Sequence, residues 1–97
     1  MIAPKVTSAT PLEPYVVRVV FADGKVRDVD IEPLLTGELF RPLADRELFE
    51  QVRIDEYGET IEWPNGADID PDVLYGTEVP AGEPRPRLST PEQASSS

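Results

Sequence analysis

The residues with the greatest capacity for chemistry are carboxylates, and they crowd a stretch, residues 54–84, that has no lysine or arginine. Three of them alternate with a spacing that resembles the opening of a calcium-binding loop: Asp68, Asp70 and Asp72. The resemblance then fails, because Val73 stands where such a loop needs its sharp-turn glycine and Val79 where it needs a bidentate glutamate. We therefore predict no metal site.

These aspartates are better explained by backbone roles. Asp70 precedes Pro71, which needs no hydrogen-bond partner for its nitrogen at the first position of a helix, so Asp70 is predicted to cap a short helix. Asp72 would favour the N-terminus of that helix, and Asp68 would bond the backbone of the preceding turn.

An alternative function is a carboxylate-based or metal-dependent hydrolase that uses Asp68, Asp70 and Asp30. Acid–base catalysis requires such carboxylates to converge on a cleft where burial raises the pKa of one of them. The chain has no histidine and no cysteine, and it lacks a glycine-rich phosphate loop. Many enzyme mechanisms depend on a histidine, a cysteine or such a loop. Because all three are missing, we predict a protein that is not an enzyme and uses no cofactor.

The charge balance constrains the partner. The 97 residues include 19 acidic and 9 basic side chains, which gives a formal net charge of −10. Such a surface repels nucleic acid and favours a basic protein partner, although solubility alone would also explain it. No stretch is apolar enough for a signal peptide or a membrane span, so we expect a cytoplasmic protein that binds neither membrane nor nucleic acid directly.

The element best defined by the sequence is a β-hairpin over residues 15–31. A three-residue loop, residues 22–24, with Gly24 in the left-handed region pairs Phe21 with Lys25 and sets Arg18 opposite Asp28. A two-residue Asp-Gly loop would shift this register by one and place valines opposite aspartates. The first register is favoured because cross-strand pairs of opposite charge or like character stabilise a sheet.

The other elements are short, and together they predict an α+β fold of antiparallel strands with one or two small helices on one face. They are a strand at Lys5–Leu12, a helical turn ending at Gly37, a helix Arg46–Val52 capped by Asp45, and strands Arg53–Asp55 and Glu59–Trp63. Residues 1–76 form this single domain. Residues 77–97, rich in proline, serine and glutamate, are predicted to be a disordered tail because they carry little apolar surface to bury.

The candidate partner-binding residues lie in the last third of the domain: Trp63, Asn65, Asp68, Asp70 and Tyr75. Trp63 has two interpretations. Tryptophan is enriched at binding hot spots, so an exposed Trp63 would be a contact residue. As the single tryptophan of a small domain, it is more often part of the core, and this is the interpretation that we favour.

Three segments of the chain resemble the bacterial "domain of unknown function 2442" family. They read YVVRVVFADGKVRDVDIEPLL, LFRPLADRELFEQVRID and TIEWPNGADIDPDVLYG, and the likeness covers residues 2–76. The resemblance implies an α+β fold and no established activity. It also implies a stand-alone protein, often encoded beside another small protein in what have been suggested to be toxin–antitoxin-like modules. The matching positions have no assigned role: Trp63, Asn65, Gly66, Asp68, Pro71, Leu74 and Tyr75.

The leading hypothesis is a non-enzymatic interaction domain that binds a small, basic protein through an acidic face around residues 63–75. The hydrolase described above is one alternative. A second is a homodimer with a purely structural role, formed at the edge of the sheet, where unpaired backbone groups are available to a symmetric mate.

Overall fold

The computed structural model describes residues 4–76 and 86–90 and has the predicted α+β fold. Six strands occur in these residues: β1 Val6–Leu12, β2 Val16–Phe21, β3 Val26–Asp30, β4 Arg53–Ile54, β5 Ile61–Glu62 and β6 Arg87–Ser89. Four short helices accompany them: two of the 3-10 type, Glu32–Thr36 and Arg41–Ala44, and two α-helices, α1 Arg46–Phe49 and α2 Pro71–Tyr75. The described residues contain no helix that is both long and apolar enough to cross a membrane.

The β2–β3 hairpin has the predicted register. Arg18 lies opposite Asp28, and the two side chains form a bidentate ion pair with nitrogen–oxygen distances of 2.9 and 3.1 Å. The Phe21 amide donates to the Lys25 carbonyl, which closes the loop as expected. Gly24 has φ +91°, a left-handed conformation that glycine adopts without strain.

The main sheet is antiparallel throughout, in the order β1-β2-β3-β6, and one of its faces covers the core. Strand β2 alternates strictly, so that Val17, Val19 and Phe21 are buried while the residues between them are partly exposed. This period of two is the pattern expected of a sheet with a single covered face. The buried apolar side chains are Val6, Val17, Val19, Phe21, Val29, Ile31, Leu34, Leu43, Phe49, Ile61, Trp63, Ala67, Ile69 and Leu74.

Strand β6 corrects the prediction that the whole of residues 77–97 is disordered. Arg87–Ser89 pairs with β3 as the fourth strand of the sheet, and Leu88 lies opposite Val29 and packs against the core. A single leucine flanked by polar residues is too short a pattern to indicate a strand. The segment becomes a strand through its contacts with β3, which is distant in the sequence. The rest of the predicted tail, residues 77–85 and 91–97, lies outside the described residues.

Helix α1 and the second sheet are shorter than predicted. Asp45 caps α1 as expected and accepts a hydrogen bond from the Glu47 amide at 3.0 Å. The helix ends at Phe49 rather than Val52, because the Phe49 carbonyl accepts hydrogen bonds from the Val52 amide and from Trp63 instead of extending the helical ladder. The small sheet contains only β4 and β5, with two residues in each.

Candidate functional site

The segment that holds the candidate residues, 61–75, begins in β5 and reverses in a tight turn. The Gly66 amide donates to the Trp63 carbonyl, and the Trp63 amide donates to the Ala67 carbonyl at 2.8 Å. Gly66 has φ +95°, so the Asn-Gly pair performs the predicted turn. After the turn, Asp68 forms an isolated β-bridge with Glu62. The Thr60 hydroxyl donates to the Ile69 carbonyl, and this bond connects the returning chain to the residue that precedes β5.

Trp63 is a core residue, so its side chain is not exposed on the surface of the described structure. Its side chain is 1% exposed. The indole Nε1 donates to the Phe49 carbonyl at 2.9 Å, and the ring stacks on that of Phe49 with centroids 6.2 Å apart. The favoured interpretation of Trp63 as a core residue therefore agrees with the structure. The ring is buried against Phe49 of α1, and its N–H has a hydrogen-bond acceptor there, as a buried tryptophan usually does.

Asn65 holds the turn in place. Its side-chain Nδ2 donates to the Leu39 carbonyl at 2.9 Å, and its Oδ1 accepts a hydrogen bond from the Ala67 amide at 3.2 Å. Both ends of the amide are therefore used within the fold. The turn-bonding role that the sequence suggested for Asp68 belongs to Asn65, since an asparagine at this position can bond the amide two residues on.

Asp68 and Asp70 point to solvent on the same strand-like segment. Both are exposed, and alternate residues between and beside them, Ala67 and Ile69, are buried. The Asp68 carboxylate has no hydrogen bond or ion pair in the part of the chain that the structure describes. Asp70 caps α2 as predicted, accepting a hydrogen bond from the Asp72 amide at 2.9 Å.

The cap gives a first testable prediction. We expect Asp70→Ala to lower the free energy of unfolding by about 0.5–2 kcal/mol, because the first turn of α2 loses a hydrogen-bond acceptor for its amides. Asp70→Asn keeps a good capping group and should cost much less. Urea unfolding followed by far-UV circular dichroism measures both. Equal losses in the two variants would show that Asp70 acts through its charge and not as a cap.

Tyr75 ties the end of α2 to the loop between β2 and β3. Its hydroxyl donates to Asp23 Oδ2, its ring contacts Phe21 edge-on with centroids 4.9 Å apart, and the Arg27 guanidinium lies 5.6 Å from its ring centroid. The bond from Tyr75 lowers the pKa of Asp23, and the same bond raises the pKa of Tyr75. A lowered carboxylate pKa stabilises the fold near neutral pH, and this contribution is lost as the pH falls through that pKa.

The neighbours of this segment were not among the candidate binding residues. Arg53 lies opposite Glu62 across the small sheet, and its Nε donates to Glu62 Oε2 at 2.9 Å. Glu62 in turn bridges to Asp68, so the three side-chain positions form a row across adjacent strands. The spacing of Arg53 and Glu62 around a turn was the available signal, because opposite charges often face each other in a hairpin.

The third carboxylate proposed for catalysis lies in the other sheet. Asp30, the last residue of β3, accepts a hydrogen bond from the Glu32 amide at 3.0 Å and forms an ion pair with Arg87. Across the described residues, no group of three or more histidine, cysteine or acidic side chains is placed to hold a metal ion. The described carboxylates thus do not form a multidentate centre.

Comparison with known proteins identifies the family. Neither the curated proteins nor the solved structures give a significant match. The DUF2442 family, described as "Protein of unknown function", matches residues 6–80, which include the β2–β3 hairpin, all four short helices of the described residues and the segment 61–75. This match covers most of the 97 residues, and the chain therefore belongs to the DUF2442 family.

Proposed function

We propose that this protein is a non-enzymatic interaction domain of the cytoplasm that binds a small, basic protein. The binding surface, which we call the acidic surface, consists of Glu62, Asp68 and Asp70. The observation that carries the proposal is the exposure of Asp68 and Asp70 without a lysine or arginine partner among the described residues. The product of an adjacent gene, as in a toxin–antitoxin-like pair, is the partner to test first.

The electrostatics of the acidic surface support this choice. Glu62 forms an ion pair with Arg53, whereas Asp68 and Asp70 form none with a lysine or arginine among the described residues. The acidic surface therefore has an excess of negative charge. The chain as a whole carries −10, which adds an attractive field for any cationic protein. Charges at the rim of an interface mainly raise the rate of association, and salt screens them over about 8 Å at physiological ionic strength.

The uses that the fold makes of its carboxylates support a binding role over a catalytic one. Asp70 caps a helix, and Asp30 caps a turn and pairs with Arg87. Asp68 is exposed and lies beside the small sheet of β4 and β5, where its backbone forms an isolated β-bridge with Glu62. A carboxylate acid–base pair needs two convergent groups, one of them desolvated. Nothing in the described part of the chain gathers these three residues in that way.

The proposal predicts how charge removal changes affinity. We expect the double variant Asp68→Asn/Asp70→Asn to bind the adjacent-gene product about 2- to 30-fold more weakly, since each exposed charge pair contributes about 0.2–1 kcal/mol. Asparagine at position 70 preserves the helix cap, so the fold is kept. The loss should appear mainly in the association rate, measured by surface plasmon resonance at low ionic strength, and should shrink as salt is added.

A charge-matched control separates the acidic surface from net charge. Glu13→Gln/Glu38→Gln also removes two exposed carboxylates, and neither residue forms an ion pair in the described structure. We expect this control to bind nearly as well as the unaltered protein. If both double variants lose affinity equally, the partner senses overall charge and the acidic surface is not the site. If no complex forms at low salt, the proposed function itself is wrong.

A further inference from the structure

Strand β6 occupies a binding site along the open edge of β3. The three residues of β6 pair with three of β3: Arg87 with Asp30, Leu88 with Val29, and Ser89 with Asp28. Strand β3 is the last strand of the hairpin, and without β6 one of its edges would present unpaired backbone groups. The site therefore offers a peptide backbone ladder to any extended segment that reaches it.

The core-facing side of this site selects an apolar residue. Leu88 is directly opposite the fully buried Val29 and packs against the hydrophobic core. A Cβ at Gly76, the residue that ends α2, would lie 3.5 Å from Leu88 Cδ1. This is an ordinary van der Waals distance, so Leu88 lies in contact range of the end of α2 as well as opposite β3.

The outer side of the site selects a cation. Arg87 Nη2 donates to Asp30 Oδ2 at 2.6 Å and Nε donates to the same oxygen at 3.2 Å. Glu32 adds a second carboxylate, with its Oε1 3.9 Å from Nη2. Two carboxylates thus face one guanidinium, and this interaction raises the pKa of Arg87, with the hydrogen bond to Asp30 as the main cause.

We propose that the edge of β3 is a recognition site for an extended, basic segment of the partner protein, with an arginine opposite Asp30 and an aliphatic residue opposite Val29. In the free protein, residues 87–89 fill this site, and the partner's segment replaces them as the fourth strand. The inference rests on the proposed role as an interaction domain, and it names a second contact surface with its own specificity. Addition of a strand to a sheet edge is a recurrent mode of peptide recognition.

Strand β6 is held by few contacts, so a competing segment can replace it. It forms only three residue pairs, it lies at the end of the sheet, and the Arg87 side chain is 66% exposed. Leu88 is its single apolar contact with the core, and it is only partly buried. By contrast, β2 is held on both sides by longer strands. Segments with few buried contacts need the least free energy to open locally. Among the strands of the main sheet, β6 is therefore expected to detach at the lowest cost.

The test uses the full chain and a synthetic peptide, acetyl-Pro-Arg-Leu-Ser-Thr-amide, which has the sequence of residues 86–90. The double variant Arg87→Glu/Leu88→Asp should vacate the site, because its new glutamate would face two carboxylates and its new aspartate would face the core. We expect this variant to bind the peptide about 10-fold more tightly than the unaltered chain, or better, since occupancy by the chain's own strand lowers the affinity in proportion to the open fraction. In ¹H–¹⁵N NMR titrations, the largest shifts should fall in β3.

The matched control is Leu39→Asp/Arg41→Glu, which makes the same two changes at exposed positions away from the sheet edge. It should bind the peptide no better than the unaltered chain. In the vacated variant, the additional change Asp30→Asn keeps an acceptor for the Glu32 amide and should remove the preference for this peptide over one with glutamine in place of arginine. If Arg87→Glu/Leu88→Asp fails to fold by circular dichroism, Arg87→Glu alone serves in its place.

Equal peptide affinity of the vacated, control and unaltered chains would overturn the proposal. So would light scattering that shows a dimer of the unaltered chain dissociating in Arg87→Glu/Leu88→Asp, because the edge would then belong to a second copy. A failed peptide test with intact, salt-sensitive partner binding removes only the strand site. Peptide binding without any complex with the gene-pair partner leaves the strand site and removes the proposed partner.

Discussion

Replacing Trp63 with alanine should remove a large share of the stability of this domain. The side chain is 1% exposed and its removal takes away the ring that stacks on Phe49 and meets Phe40 edge-on. Truncation of a buried aromatic residue to alanine costs about 3–5 kcal/mol, while a whole domain has a free energy of unfolding of about 5–15 kcal/mol. Urea unfolding monitored by far-UV circular dichroism measures the loss, since the variant has no tryptophan to follow by fluorescence.

Trp63→Phe separates the ring from its hydrogen bond. The smaller ring keeps contact with Phe49, but the Phe49 carbonyl loses the indole N–H and retains only the Val52 amide. We expect a loss of about 1–3 kcal/mol, clearly less than for alanine. If phenylalanine costs as much as alanine, the packing account of Trp63 is wrong and the hydrogen bond dominates.

Leu74→Ala is expected to release α2 from the domain at a cost of about 2–5 kcal/mol. Leu74 is fully buried, and it is the one buried residue of this five-residue helix. A helix of this length has no stability of its own in water, so its position depends on the side chains that dock it. Denaturant unfolding gives the magnitude, and amide hydrogen exchange should show protection lost first in residues 72–76.

The neighbouring residue supplies the control for this experiment. Val73 is only partly buried against the core, and Val73→Ala should cost about 1 kcal/mol from the methyl groups withdrawn from contact. Equal losses at the two positions would mean that α2 is held by general contact instead of by Leu74. The same pair of variants bears on function, because α2 carries the capped end that places Asp70 on the acidic surface.

Local pattern was sufficient to predict the parts of the fold that depend on adjacent residues. The β2–β3 register followed from one glycine and from the match of Arg18 with Asp28, since both strands and the loop are contiguous in the chain. The caps at Asp45 and Asp70 followed for the same reason, because a capping carboxylate bonds an amide two residues away. Such features need no knowledge of the tertiary structure.

Features that depend on distant contacts could not be predicted. Residues 87–89 become a strand because the edge of β3, the end of α2 and Asp30 together form their site, and all of these lie far away in the sequence. Asn65 bonds Leu39 across the fold, and Tyr75 bonds Asp23, so neither contact left a signal in its own surroundings. Of the candidate residues, Asp68 and Asp70 are exposed, whereas Trp63 is interior and Asn65 and Tyr75 are engaged within the fold.

The origin of the fourth strand also affects the growing polypeptide on the ribosome. Strands β1 to β3 are synthesised well before residues 87–89, so a nascent hairpin has one unprotected border until that later segment emerges. An unprotected border of this kind invites association between nascent chains. Asp30 lies along it, and until Arg87 is made its carboxylate has no ion-pair partner among the described residues, so it places a negative charge opposite any identical neighbour, which disfavours such pairing.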